Sequence, residues 1–286
     1  TKKGSPLKPT GDRQDHERKE GGGVLRGKAF FAVSFDVFKF FLFGFLLLWL
    51  LSGGMERLGY HWQWYRVPRY LLSLENGQWI AGPLLRGLLV TLEITAVSLF
   101  CAFAVGLVTA LFRLSGAPVA RAAARVYLEL IRNTPLLIQI FFIYFVVSPV
   151  LGWSPFFSAV LALSLFEGAY ASEIIRAGIV AIPRGQWEAA RSLGIGPWGV
   201  YRHVILPQAL RNTLPPLTGQ AVSLIKDSAL VSTIAIYDLT MEAQAIVADT
   251  FLTFEIWFTV AAVYLVLTLG FSSIAGFLEA RLRPGG

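Results

Sequence analysis

Six apolar runs close to membrane length divide this chain, over residues 36–51, 84–112, 135–151, 156–182, 214–236 and 254–278. A hydrocarbon layer about 30 Å thick takes roughly 20 apolar residues in a helix, because each residue rises about 1.5 Å. In lipid the backbone must satisfy its own hydrogen bonds, so runs of this length predict helices. The composition agrees: 55% of the 286 residues are hydrophobic, 15% are charged, and mean hydropathy is +0.59. Soluble chains carry about 25% charged residues. The expected fold class is all-α, a polytopic membrane helix bundle. The first run, DVFKFFLFGFLLLWLL, has the shortest clean apolar part and extends somewhat upstream.

Basic residues set the expected orientation, since Lys and Arg collect in cytoplasmic loops. The tail holds Lys2, Lys3, Lys8, Arg13, Arg18, Lys19, Arg26 and Lys28. The gap after the second run holds Arg113, Arg121, Arg125 and Arg132, and the gap after the fourth holds Arg184, Arg191, Arg202 and Arg211. Arg281 and Arg283 follow the last run. An even number of helices places all four segments on one side, with both termini in the cytoplasm. The opposite side receives segment 237–253, which has Asp238, Glu242 and Asp249 and neither Lys nor Arg. It also receives the mixed loop before residue 82, whose YHWQWY (60–65) suits an interfacial aromatic belt. This loop bias accounts for the net charge of +7, so nucleic acid is not an expected partner.

The polar tail TKKGSPLKPTGDRQDHERKEGGG buries too little apolar surface to fold, and residues 1–28 are expected to be a disordered basic segment. Gly22, Gly27 and Lys28 fall at phosphate-loop spacing, but Ala29 stands where magnesium needs a hydroxyl, and no strand precedes them. Cys101 is the sole cysteine and cannot form an internal disulfide. His16, His61 and His203 are scattered, and no metal site is expected. No cleavable signal is evident.

One stretch departs from the apolar pattern. RGQWEAARSLGIGPWGVYRHVILPQALR (184–211) carries charges, small residues and paired glycines in a loop far longer than a helix connection needs. Good helix formers follow Pro183, and Gly194 is a plausible C-terminal cap. Ala189 and Ala190 present almost no side chain, so a second surface can approach closely. Residue chemistry leaves two readings open: a short helix offered to a partner, or one that covers the ends of the bundle.

Glu188-Ala189-Ala190, then Gly194, then Val204-x-Leu206-Pro207 resembles the loop signature of permeases of bacterial ATP-binding-cassette (ABC) importers, with Val204 where the family usually has Ile. Further segments are similar to the polar amino-acid subfamily of histidine, glutamine and glutamate type. They are ELIRNTPLLIQIFFIYF (129–145), GAYASEIIRAGIVAIPRGQWEAARSLG (168–194), LPQALRNTLPP (206–216), SLIKDSALVSTI (223–234) and TFLTFE (250–255). The resemblance implies a type I ABC importer permease fold with a five-helix core. The chain then divides into the tail 1–28, an extra N-terminal transmembrane helix over 29–52, and an extracytoplasmic loop over 53–81. A permease domain over 82–283 carries the cytoplasmic coupling loop 183–212. By the same resemblance Glu188, Ala189, Ala190, Arg191 and Gly194 dock into a groove of a separate ATPase subunit.

The implied assembly has two ATPase copies, a second permease chain (identical or homologous) and an extracytoplasmic substrate-binding protein, set in lipid of the bacterial inner membrane. The cargo is a polar amino acid. This chain is not an enzyme by itself and holds no cofactor; ATP and magnesium go to the partner ATPase. The alternative is an ion-coupled secondary transporter, which favours an internal repeat of hydropathy that this chain lacks. Ionisable groups within spans mark a candidate cargo path. Glu93 and Glu167 are its leading members, with Tyr170 one turn beyond Glu167. Asn133, Thr134, Gln139, Ser228 and Ser232 supply further polar groups for the ammonium and carboxylate of a zwitterion, and Lys226 and Asp227, which match a motif of that family, are expected on the path as a gate or at a subunit contact. Glu173 and Arg176, at i,i+3, are expected to form a local ion pair.

Overall fold

The computed structural model describes residues 59–75 and 77–282, together with residues 42, 44–46 and 49. The expectations for the tail 1–28, and for most of the helix over 29–52, lie outside these residues. From Gln63 onward the chain forms one unit. It opens with a single turn at Trp64–Arg66 and a short helix α1 (Pro68–Leu71). An antiparallel hairpin follows, β1 (Leu72–Glu75) and β2 (Gln78–Ala81), with Leu74 opposite Trp79. The stretch was expected as plain loop. Gly77, at φ +77°, takes the left-handed turn conformation that lets two four-residue segments pair.

Helix α2 (Pro83–Leu114) is followed by α3 (Pro118–Arg132) and α4 (Leu136–Leu151). Then come α5 (Pro155–Val180) and the short α6 (Arg184–Ser192). The chain ends in α7 (Pro197–Ile234), α8 (Leu239–Thr250) and α9 (Thr253–Leu282). Among the described residues α2, α5 and α9 are each long and apolar enough to cross a membrane. The pairs α3–α4 and α7–α8 also pass that test when each is taken as one broken span, bent by 106° and 50°. Two helices, α3 and α8, occupy stretches expected as connecting segments. In α3 the charges recur at Arg121, Arg125, Glu129 and Arg132 along one face, with Ala124 and Leu128 buried along its edge, while Val119, Val126 and Leu130 fall on the other. That is amphipathic helical periodicity inside a gap recognised only for its charge.

Both wide turns of helix have one cause. The π turns at Phe142–Val147 and Tyr201–Ile205 each precede a proline, Pro149 and Pro207. Proline has no N–H to donate back, so the helix widens there instead of breaking.

Lipid offers no hydrophobic drive between helices, so close packing of small residues takes over. Ala102, Gly106 and Ala110 recur every fourth residue on α2, and Ser164, Gly168 and Ser172 do so on α5; all are buried or nearly so. A β-carbon at Gly106 would come within 2.8 Å of the Ala171 side chain, and one at Gly168 within 2.9 Å of Val105. Further along α5, Gly178 packs directly on Thr213 of α7. The apolar core beside these seams includes Ile94, Ile140, Leu163, Leu224 and Ile234, from α2, α4, α5 and α7.

Candidate functional site

The coupling loop is built from its own sequence. After Pro183, helix α6 ends with Gly194 at φ +74°. The Gly194 N–H donates to the Arg191 carbonyl at 2.9 Å and the Ile195 N–H to the Ala190 carbonyl at 3.3 Å. These two bonds form a Schellman cap, which satisfies carbonyls that the helix leaves free. Beneath the helix, Ile182, Ala190, Val200, Ile205 and Ala209 are buried together, with Trp187, Ile195 and Val204 packed against them. Trp187 meets Tyr201 edge to face at 5.1 Å.

The outer side of this base is a ledge. Glu188, Ala189, Arg191 and Gly194 are exposed on it. Ala190 is not: it is 4% exposed and faces the loop's own core. Two residues that sequence reasoning passed over complete the ledge. Leu193 and Trp198 flank Gly194 and are 79% and 76% exposed. Large apolar side chains held in water next to a tight turn are the available signal for a docking point.

Above the loop, α2, α3 and α5 meet at a charged cluster. Glu173 of α5 pairs with Arg113 of α2, with Arg132 of α3 at 3.4 Å and with Arg176 at 3.2 Å. The expected local pair with Arg176 exists, but the same carboxylate is shared with two arginines distant in sequence. Arg113, Arg125, Glu129, Arg132, Asn133, Tyr170 and Glu173 wall a cavity of about 390 Å³. Asn133 donates to the Glu129 side chain at 2.9 Å, and the Arg132 guanidinium lies 5.7 Å from the Tyr170 ring centre.

A second cavity, of about 430 Å³, lies between α2, α5 and α7. Its walls are mostly apolar, from Phe100, Phe103, Leu214 and Leu217, and Glu167, Thr218 and Gln220 enter among them. Glu167 is 2% exposed. Gln220 donates to its Oε2, while its Oε1 has no hydrogen-bond partner.

The other candidate residues separate. Gln139 donates to the Ile131 carbonyl at 2.7 Å and to the Thr134 hydroxyl at 2.8 Å, bracing the corner between α3 and α4. Ser228 and Ser232 each donate to a carbonyl of their own turn, at 2.8 Å. Lys226 is exposed, whereas Asp227 is half-buried and its carboxyl lies against that of Glu167. Glu93 is exposed on the outer face of α2 and lines neither cavity. The structure thus gathers Asn133 and Tyr170 at one cavity and Glu167 with Asp227 at another, and does not join the full set. Gln220, Arg113 and Arg125 were missed, because their proximity depends on helices brought together from elsewhere in the chain.

Residues 102–284 match the family model described as the binding-protein-dependent transport system inner membrane component. The chain is 40% identical over 209 residues to the glutamine transport system permease protein GlnP of Escherichia coli (strain K12), covering 72% of this chain and 95% of that relative. It is 40% identical over 200 residues to the L-cystine transport system permease protein TcyB of Bacillus subtilis (strain 168), covering 68% and 85%. Among solved structures, an amino acid ABC transporter crystallised with histidines aligns with a TM-score of 0.65 at 40% identity, over 70% of this chain and 94% of that one. An inward facing MetNI methionine ABC transporter, at 20% identity, aligns with a TM-score of 0.62 over 71% and 97%, a likeness of fold.

Proposed function

The chain belongs to the binding-protein-dependent transport system inner membrane component family, and on that premise we propose that it is the permease subunit of an ABC importer for polar amino acids. It is an integral inner-membrane protein. The observation that carries the proposal is the ledge: Glu188, Arg191, Leu193, Gly194 and Trp198 exposed on a base packed from the loop's own residues. A surface of that kind transmits force, because it is rigid behind and complementary in front. A carboxylate and a guanidinium offer directional pairing to a partner, and Leu193 and Trp198 offer apolar anchors.

In this reading two ATPase subunits hold ATP and magnesium, and their closure pushes α6. The push passes into α5 and α7, which flank the loop and touch where Gly178 meets Thr213. A second permease chain completes the pathway, and an extracytoplasmic binding protein delivers the cargo. Both termini lie in the cytoplasm, together with the coupling loop. ATP is hydrolysed by the partner, and this chain contributes the membrane path. For the cargo path we favour the cavity at Glu167, where a mostly apolar wall is broken by the Glu167 carboxyl beside Gln220 and Thr218. Such a group offers an acceptor to an ammonium.

Reconstitution tests the proposal. The chain, its ATPase and its binding protein in proteoliposomes should take up a polar amino acid in an ATP-dependent manner, across a panel of basic, acidic and neutral candidates. Uptake driven by an ion gradient without ATP would overturn it in favour of a secondary transporter.

A further inference from the structure

The hairpin β1–β2 precedes the region that matches the family model and serves neither cavity nor the ledge. Its register makes it amphipathic. Leu72 pairs with Ala81 and Leu74 with Trp79, so these four side chains share one face. Ser73, Gln78 and Ile80 fall on the other. The apolar face is unusually bare: Leu74 is 61% and Trp79 72% exposed. Leu72 and Trp79 also wall an apolar groove of about 470 Å³ with Val67, Pro68 and Leu71.

The hairpin is also tethered. Gly82 joins it to Pro83, the first residue of the spanning helix α2. The Gly82 N–H donates to the Leu71 carbonyl at 2.8 Å, and a β-carbon at Gly82 would run into the Tyr70 carbonyl. The hairpin therefore stays where α2 enters the membrane. Two cations stand beside it. The Arg69 guanidinium lies 4.8 Å from the Tyr70 ring centre and donates to the Tyr70 hydroxyl at 2.6 Å; Arg66 donates to Gln63 at 2.9 Å. An indole with apolar neighbours and flanking arginines is the chemistry of a lipid headgroup layer, where rings sit at the interface and cations meet phosphate.

We propose that the apolar face of this hairpin lies in the headgroup region of the leaflet at which α2 begins, and fixes the depth of the helix bundle from that side. The occupant of the face is phospholipid. Continuity with a spanning helix and the paired cations favour lipid over a protein partner.

Nitroxide labels test this in the full chain, carrying Cys101→Ala and one new cysteine at Leu74, Trp79, Ser73 or Gln78. The vesicles are phosphatidylethanolamine and phosphatidylglycerol, and collision with oxygen and with a water-soluble nickel complex is measured. The expected oxygen-to-nickel ratio is several-fold higher at Leu74 and Trp79 than at Ser73 and Gln78. Equal ratios at all four sites overturn the proposal. Low collision with both reagents at Leu74 and Trp79 also overturns it, since protein then covers the face. An unlabelled check compares wild type with Trp79→Phe in vesicles of brominated lipid. Quenching of the difference emission supports the proposal, and its absence overturns it.

Discussion

The coupling loop and the arginine cluster around Glu173 share the last turns of α5 but are held together in opposite ways. The loop packs by apolar contacts among residues 179–209, all near one another in the chain. The cluster draws Arg113 and Arg132 from two other helices onto one partly exposed carboxylate, 60 and 41 residues away in sequence. The first is a locally packed unit continuous with α5 and α7. The second is an electrostatic tie across α2, α3 and α5 whose members are partly solvated, so each pair contributes little by itself.

Substitutions can break this contrast or sharpen it. The largest effect is expected at the joint itself. Gly178→Leu drives a side chain into Thr213 and should lower stability by about 1–3 kcal/mol or more, as overpacking does. Thermal unfolding in detergent measures this, and an unchanged midpoint means α5 and α7 are not rigidly joined above the loop. Next comes Gly194→Ala. Open space surrounds the position, yet φ +74° disfavours any β-carbon by about 1–2 kcal/mol. Gly194→Asn should cost less, because Asn tolerates that conformation. The ordering of the two melts checks the cap.

Glu173→Gln leaves the arginines without their shared carboxylate. The loss should be about 1 kcal/mol, because the Glu173 side chain is 26% exposed and screened, and it should shrink in high salt. A loss insensitive to salt would show that the cluster acts by packing. The smallest effect on stability, near zero, is expected for Leu193→Ser with Trp198→Ala, since both side chains are already in water. That double variant should instead lose the ATPase subunit on co-purification; retained ATPase would remove both residues from the docking surface. Glu167→Gln keeps the side-chain shape while removing the carboxyl group that lines the cavity. The fold should hold while uptake falls or changes substrate preference, as read in proteoliposomes.

The placement of the apolar runs was legible because lipid imposes length and composition on every span, whatever its neighbours. The α2, α5 and α9 spans follow those runs closely. The coupling loop was legible for a related reason: its cap, its small residues and its base are local in sequence, and Gly194 does what its position suggested. The helix α3 was missed because charge was counted without its period.

Proximity between helices was beyond reach. Residue type did not say that Ala190 turns inward, that Glu173 serves three arginines, or that Gln220 finds Glu167. By itself the sequence determined which runs are helical at membrane length and where the long loop with its glycine cap falls, since both depend on local chemistry. Only tertiary structure decided which charges meet and which remain in dry cavities, because those contacts come from helix faces set together by small residues such as Gly106 and Gly168. The energy of a charge depends on what surrounds it, and in this molecule the surroundings come from elsewhere in the chain.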